Sequence, residues 1–192
     1  MYSFFRIILK IFVLPFFRIE VSGNVNILND YENILVCANH SSNWDPFFLS
    51  GIFNRQIFWL AKAELFENPL FKVLLNGLGA IPVNRQKNDL KAIKSSIRTL
   101  RDGKVLGIFI EGTRVKEEDA GNAKSGTIMI SQKTASPIIP VKISSSYKIF
   151  KKTFVTIGEP VPPIEDGKDY SEQAKQLWRN IYSLDEKRIN NG

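Results

Sequence analysis

Cysteine and histidine occur once each among 192 residues, as Cys37 and His40. A lone cysteine excludes an internal disulfide, and with a lone histidine beside it a zinc site has too few ligands. A reducing compartment fits this usage, and no metal or other cofactor is expected. Internal repeats, low-complexity tracts and long linkers are missing as well, so the chain reads as one domain, long enough to bury a core without staples. Acidic excess is absent: lysine plus arginine outnumber aspartate plus glutamate by 26 to 19, a formal charge of +7. An anionic partner follows, whether a phosphate ligand, an acidic membrane or nucleic acid. The basic residues are dispersed and Glu111 sits within the best basic cluster, which argues against nucleic acid.

The N-terminal stretch also lacks a long uncharged run. Its longest, Ile11 to Phe17, is far short of the roughly 20 apolar residues a spanning helix needs, and no small-residue cleavage site follows. What it has is a mixture of Tyr2, Phe4, Phe5, Phe12, Phe16 and Phe17 with Arg6, Lys10 and Arg18. That composition predicts a segment, residues 1–18, lying in the headgroup region with rings immersed and the cations on anionic phosphates. A helix packed on the rest of the domain, residues 19–192, is the alternative, and the two are compatible.

Beyond it, apolar strand-like runs alternate with helix-like ones: 34–38, 57–61, 80–83, 105–110, 138–143 and 154–157. The alternation predicts an α/β fold, a single domain with a largely parallel or mixed central sheet flanked by helices. Leu90, Ile93, Ile97 and Leu100 recur at helical spacing before Asp102-Gly103, and a last helix is expected from Tyr170 to about Arg188.

Chemistry concentrates at the strand ends. His40 lies on the loop leaving the apolar run Ile34 to Ala38, with Asp45 five positions on. A neutral imidazole takes a proton near pH 7, and a carboxylate on its other nitrogen fixes the tautomer and steadies the imidazolium. His40 and Asp45 are the candidate catalytic pair, with Asp45 expected to cap the helix opening at Pro46. Arg85 follows one strand, Glu111-Gly112-Thr113-Arg114 another, and Pro140 interrupts a third. The crevice beyond the strands' carboxyl ends is where open α/β sheets bind ligands. Arg85 and Arg114 match phosphate oxygens bidentately, Gly112 permits close approach of a ligand, Thr113 lies between, and Glu111 is expected to orient Arg114 or accept a substrate hydroxyl. Lys62 at another strand end and Lys124 before a helix are possible contacts for an oxyanion or phosphate.

Taken in order, Asn39-His40 with Asp45, Gly79 to Arg85, Phe109 to Arg114 and Pro137 to Val141 resemble the four motifs of the phospholipid and glycerol acyltransferase family, of which 1-acylglycerol-3-phosphate acyltransferases are the main type. Ile110 departs from the family's usual proline and Val115 from a frequent serine. The resemblance implies transfer of a fatty acyl group from an acyl-CoA or acyl carrier protein thioester to a glycerol hydroxyl. It makes residues 19–192 an acyltransferase domain, with lysophosphatidate, another lysophospholipid or glycerol 3-phosphate as acceptor. Partners are then the acceptor, the thioester donor and an anionic membrane surface, at the cytoplasmic face of the cell membrane in a peripheral or monotopic manner. Ser41 and Ser42 lie outside any G-x-S-x-G elbow, so the acceptor hydroxyl is expected to attack directly. A noncatalytic lipid-binding protein remains the alternative, and it has no need to bring His40 and Asp45 together.

Overall fold

A computed structural model describes residues 2–84, 89–163 and 169–190, with side chains in the last helix as far as Asp185. Seven strands form one mixed sheet: β1 (Ile19–Ser22), β2 (Ile34–Ala38), β3 (Ile57–Lys62), β4 (Ile81–Val83), β5 (Val105–Phe109), β6 (Ile138–Ser145) and β7 (Thr153–Ile157). Their order is β1-β7-β6-β2-β5-β3-β4, and only β6 and β7 run antiparallel. The helices are α1 (Tyr2–Ile8), α2 (Asp45–Ile52), α3 (Pro69–Leu78), α4 (Leu90–Arg101), α5 (Gly126–Thr134) and α6 (Tyr170–Asn190). Among the described residues no helix is long and apolar enough to cross a membrane.

Period-two alternation divides the core. Ile34, Val36 and Ala38 of β2 face Leu49 and Phe53 of α2, whereas Leu35 and Cys37 face Leu100, Ile128, Leu177 and Ile181 from α4, α5 and α6. Both faces of β2 are therefore covered, which explains why it reads as an unbroken apolar run. Cys37 is fully buried, and burial pushes its thiol well above the usual range. Register then sets the site: Ala38 lies opposite Phe109, so the loops leaving β2 and β5 start side by side.

Two elements left little trace in the sequence pattern. β1 is a short edge strand, mostly exposed. α3 has clear end signals, Asn68 accepting from the Leu70 and Phe71 amides and Gly79 closing the helix at φ 76°. Its apolar residues, however, also point outward, with Leu70, Phe71, Val73 and Leu74 exposed, so no inward stripe marks it. Pro140 lies inside β6, buried and opposite Cys37, not at a strand end with the other motifs.

The N-terminal segment packs on the rest of the domain at some positions and is exposed at others. After α1 the chain continues through a wide π turn, Leu9–Val13, and a tight turn, Leu14–Phe17, that stops where Arg18 turns left-handed at φ 42°. Leu9 and Phe17 are buried, and Phe17 packs on Trp44 and Phe48. Phe4, Ile7, Ile11, Phe12 and Phe16 remain exposed. Arg6 donates to the Asn54 carbonyl at 2.6 Å, so of the three cations expected to face outward, Lys10 and Arg18 do so and Arg6 holds the segment to the end of α2.

One glycine is dictated by packing. A Cβ on Gly107 of β5 would meet the Trp59 ring at 2.4 Å and Ile57 at 2.7 Å. The missing side chain makes room for Trp59, which stacks on Phe109 at 4.8 Å. Gly107→Ala is expected to lower stability by about 1–3 kcal/mol through overpacking, measured by urea denaturation; an unchanged midpoint would mean that the indole yields freely.

Candidate active site

The site is built at the carboxyl ends of β2 and β5. Asn39, the first residue past β2, ties itself to β6 by two bonds: its amide donates to the Ile143 carbonyl at 2.9 Å and its oxygen accepts from the Ile143 N–H at 2.7 Å. His40 follows, 6% exposed, and is gripped by its own backbone. Its N–H donates to Glu111 Oε2 at 3.1 Å, and its carbonyl accepts from the Val115 N–H at 2.9 Å. The loop from Glu111 to Val115 thus holds both polar groups of the His40 peptide.

The ring is fixed just as closely. Nδ1 lies 2.9 Å from Asp45 Oδ2, and the imidazole stacks on Phe109 at 3.9 Å with an 11° tilt. Asp45 is fully buried; Oδ2 also accepts from the Ser41 and Ser42 amides at 2.8 Å, and Oδ1 from the Tyr147 hydroxyl at 2.7 Å. As a carboxylate, Asp45 offers only lone pairs. Being acceptor-only, it requires the proton on Nδ1 and leaves a lone pair on Nε2. Asp45 does this from the first turn of α2, where Trp44 holds the cap position. The expected helix cap is therefore corrected: the carboxylate turns back over the preceding loop, not onto the amides of its own helix.

His40 lines an apolar cavity of about 330 Å³. Tyr2 and Phe5 of α1, Phe47 of α2, Trp59, and Phe71, Leu74 and Leu78 of α3 wall it, and Lys62 lies on its lining. Lys62 is half exposed and pairs with Glu64 at 3.3 Å. A second cavity of about 490 Å³ opens beside it, lined by Val83, Asn84, Asp89, Glu111, Gly112, Thr113 and Lys124, and both share Leu60 and Phe109. Gly112 turns left-handed at φ 67°, and a Cβ there would press on Lys124 at 3.3 Å. Thr113 and Arg114 are exposed on this loop, one residue short of the amide that bonds His40. Arg85 lies outside the described residues. The Asn84 amide before it donates to Asp89, the cap of α4, at 2.8 Å, which pins that strand end.

Glu111 differs from its expected role. Its side chain is 1% exposed and accepts from the His40 N–H and, at 3.0 Å, from the Tyr182 hydroxyl of α6. Both of its oxygens are thus engaged by the His40 loop and by α6, so it braces the loop that carries His40. Tyr182 in turn lies under Lys142, whose Nζ sits 3.4 Å from the ring centre and 3.0 Å from Glu118. Neither Tyr147 nor Tyr182 stood out in the sequence: they are 102 and 71 positions from their partners and lie in no local pattern.

The sequence and the fold have known relatives. The family model described as Acyltransferase matches residues 18–144. A 1-acyl-sn-glycerol-3-phosphate acyltransferase of Bacillus subtilis is 33% identical over 167 residues, covering 84% of this chain and 82% of that protein. Another, of Borreliella burgdorferi, is 30% identical over 171 residues, covering 85% and 68%. The crystal structure of a 1-acyl-sn-glycerophosphate (LPA) acyltransferase from Thermotoga maritima superimposes with a TM-score of 0.72 at 26% identity, over 96% of this chain and 79% of that one.

Burial pushes the Glu111 carboxyl from its ordinary 4.5 up to about 7, against hydrogen bonds that favour the charged form. A raised folded value means a stabilisation present in full below about 4.5 and lost as pH rises through about 7. Relative to Glu111→Gln, a neutral group of the same shape, the wild type is expected to lose on the order of 3 kcal/mol across that window. Urea midpoints of both proteins at about pH 5 and about pH 8 test this; a difference that does not change with pH would contradict it.

Proposed function

The chain belongs to the acyltransferase family, and from that premise we propose that it moves a fatty acyl group from a coenzyme A or acyl carrier protein thioester to the sn-2 hydroxyl of 1-acylglycerol 3-phosphate, giving phosphatidate. It is an enzyme of the 1-acylglycerol-3-phosphate acyltransferase type. The observation that carries the mechanism is the His40–Asp45 contact of 2.9 Å at the wall of an apolar cavity. A noncatalytic lipid binder has no use for that contact.

In this reading the acceptor's phosphate is met by Arg114 and Arg85, with the Gly112 and Thr113 backbone alongside and Lys62 or Lys124 as further cations. Its hydroxyl then lies near His40 Nε2. As that oxygen attacks the thioester carbonyl, the hydroxyl proton passes to Nε2 and Asp45 stabilises the imidazolium. The carbon–sulfur bond breaks, and the imidazolium returns the proton to the departing thiolate. Holding the reactants about 3–3.5 Å apart supplies much of the acceleration. The apolar cavity between α1, α2 and α3 suits the acyl chain.

The substrate in this reading is a lipid, and large apolar side chains stand exposed on the N-terminal segment and on α3. Phe12 and Phe16 of the N-terminal segment, and Leu70, Phe71 and Val73 of α3, all lie on elements that wall or flank the cavity, with Lys10 and Arg18 beside the first group. An anionic cytoplasmic membrane surface, bound in a peripheral or monotopic manner, would cover these groups and deliver the acceptor beside His40.

Proton transfer by such a base is worth about 10² to 10⁴ in rate. His40→Ala is expected to lose turnover by that factor with lipid binding retained, while Arg114→Ala chiefly raises KM for lysophosphatidate and not for the thioester. Steady-state kinetics with purified protein check both, and a panel of lysolipids against both donor types fixes the substrates. Wild-type turnover of the alanine variant at position 40 rules out the base. Replacing both Phe12 and Phe16 by Glu is expected to abolish cosedimentation with anionic vesicles; undiminished binding would reject this surface.

A further inference from the structure

Asp45 Oδ2 receives three donors, His40 Nδ1 and the Ser41 and Ser42 amides, whereas Oδ1 receives the Tyr147 hydroxyl. Both oxygens lie off the Cβ–Cγ axis, so a swing about it that carries Oδ2 away from its three donors displaces Oδ1 as well. A bond on the opposite oxygen stops that swing. We propose that Tyr147 is a positioning residue of the reaction: by anchoring the far oxygen of Asp45, it holds the near one on His40 and so aims Nε2 at the acceptor hydroxyl. The inference rests on the reading of His40 as general base.

The chain goes to some length to place this hydroxyl. Tyr147 lies on the loop joining β6 to β7, at φ 54°, a left-handed conformation that an aromatic residue rarely adopts. Its N–H donates to Ser145 Oγ at 2.9 Å, which holds the turn, and its ring lies parallel to Phe48 of α2, the helix that Asp45 begins. Farther along the loop the Phe150 N–H donates to the Phe16 carbonyl at 2.6 Å, fixing the loop to the N-terminal segment. Strain held by contacts on both sides of the residue marks a position selected for where it puts a side chain. Burial, and after it the Asp45 charge, push the phenol's pKa upward, so it stays a donor.

Tyr147→Phe keeps the ring and removes only the donor. Turnover is expected to fall about tenfold or more, the effect of one hydrogen bond to a charged group, with KM for lysophosphatidate within about twofold. The loss should vanish in an Asp45→Asn background, where the anchored charge is gone. Wild-type turnover in the phenylalanine variant overturns the proposal. So does a loss that persists undiminished beside Asp45→Asn, or one matched by a fall in the thermal midpoint, since either would mean the phenol only supports the loop. Activity in His40→Ala would instead remove the base itself, a separate failure that these comparisons keep apart.

Discussion

Everything at this site depends on the way His40 is held by its backbone. A side chain on a loop is ordinarily placed by a rigid scaffold beneath it, and here the scaffold is a neighbouring loop. The stretch from Glu111 to Val115 accepts the histidine's N–H and donates to its carbonyl, so the loops after β2 and β5 are tied together. Adjacent parallel strands make this possible, because the Ala38–Phe109 register starts both loops at the same level. His40 and the basic loop after β5 are therefore fixed relative to each other by hydrogen bonds.

A second layer holds the ring. Gly107 admits Trp59, Trp59 supports Phe109, and Phe109 lies flat against the imidazole. The Trp59 indole N–H is satisfied by Ser50 of α2 at 3.0 Å, the helix that also carries Asp45. Packing and hydrogen bonding thus converge on one geometry of the imidazole ring. Because the same aromatic stack forms one wall of the apolar cavity, an acyl chain lying there would touch the groups that orient the histidine.

Much of this was legible from residue order. β2, β5 and β6 are buried on both faces and appear as plain apolar runs, and α4 shows its stripe because one side meets the core and the other meets water. His40 and Asp45 were legible because five positions of chain are too few to separate them widely. The inward turn of Glu111 was hidden, since a glutamate beside Gly-Thr-Arg reads as part of a charged surface loop and only the fold puts Tyr182 and the His40 amide against it. Tyr147 and Tyr182 were hidden for the same reason: their partners lie far away along the chain. α3 carries much of its apolar surface toward solvent and the cavity, where a core-packed helix would bury it.

The lone thiol gives the molecule an unplanned property. Cys37 is sealed in the middle of β2, with its proton held tightly by burial, so alkylating reagents and oxidants have neither access nor a thiolate to attack. Any cysteine introduced on the surface would then be the single reactive sulfur in the native protein. A spin label or environment-sensitive dye could be walked along the first eighteen residues without first replacing Cys37, reporting the surroundings of each position.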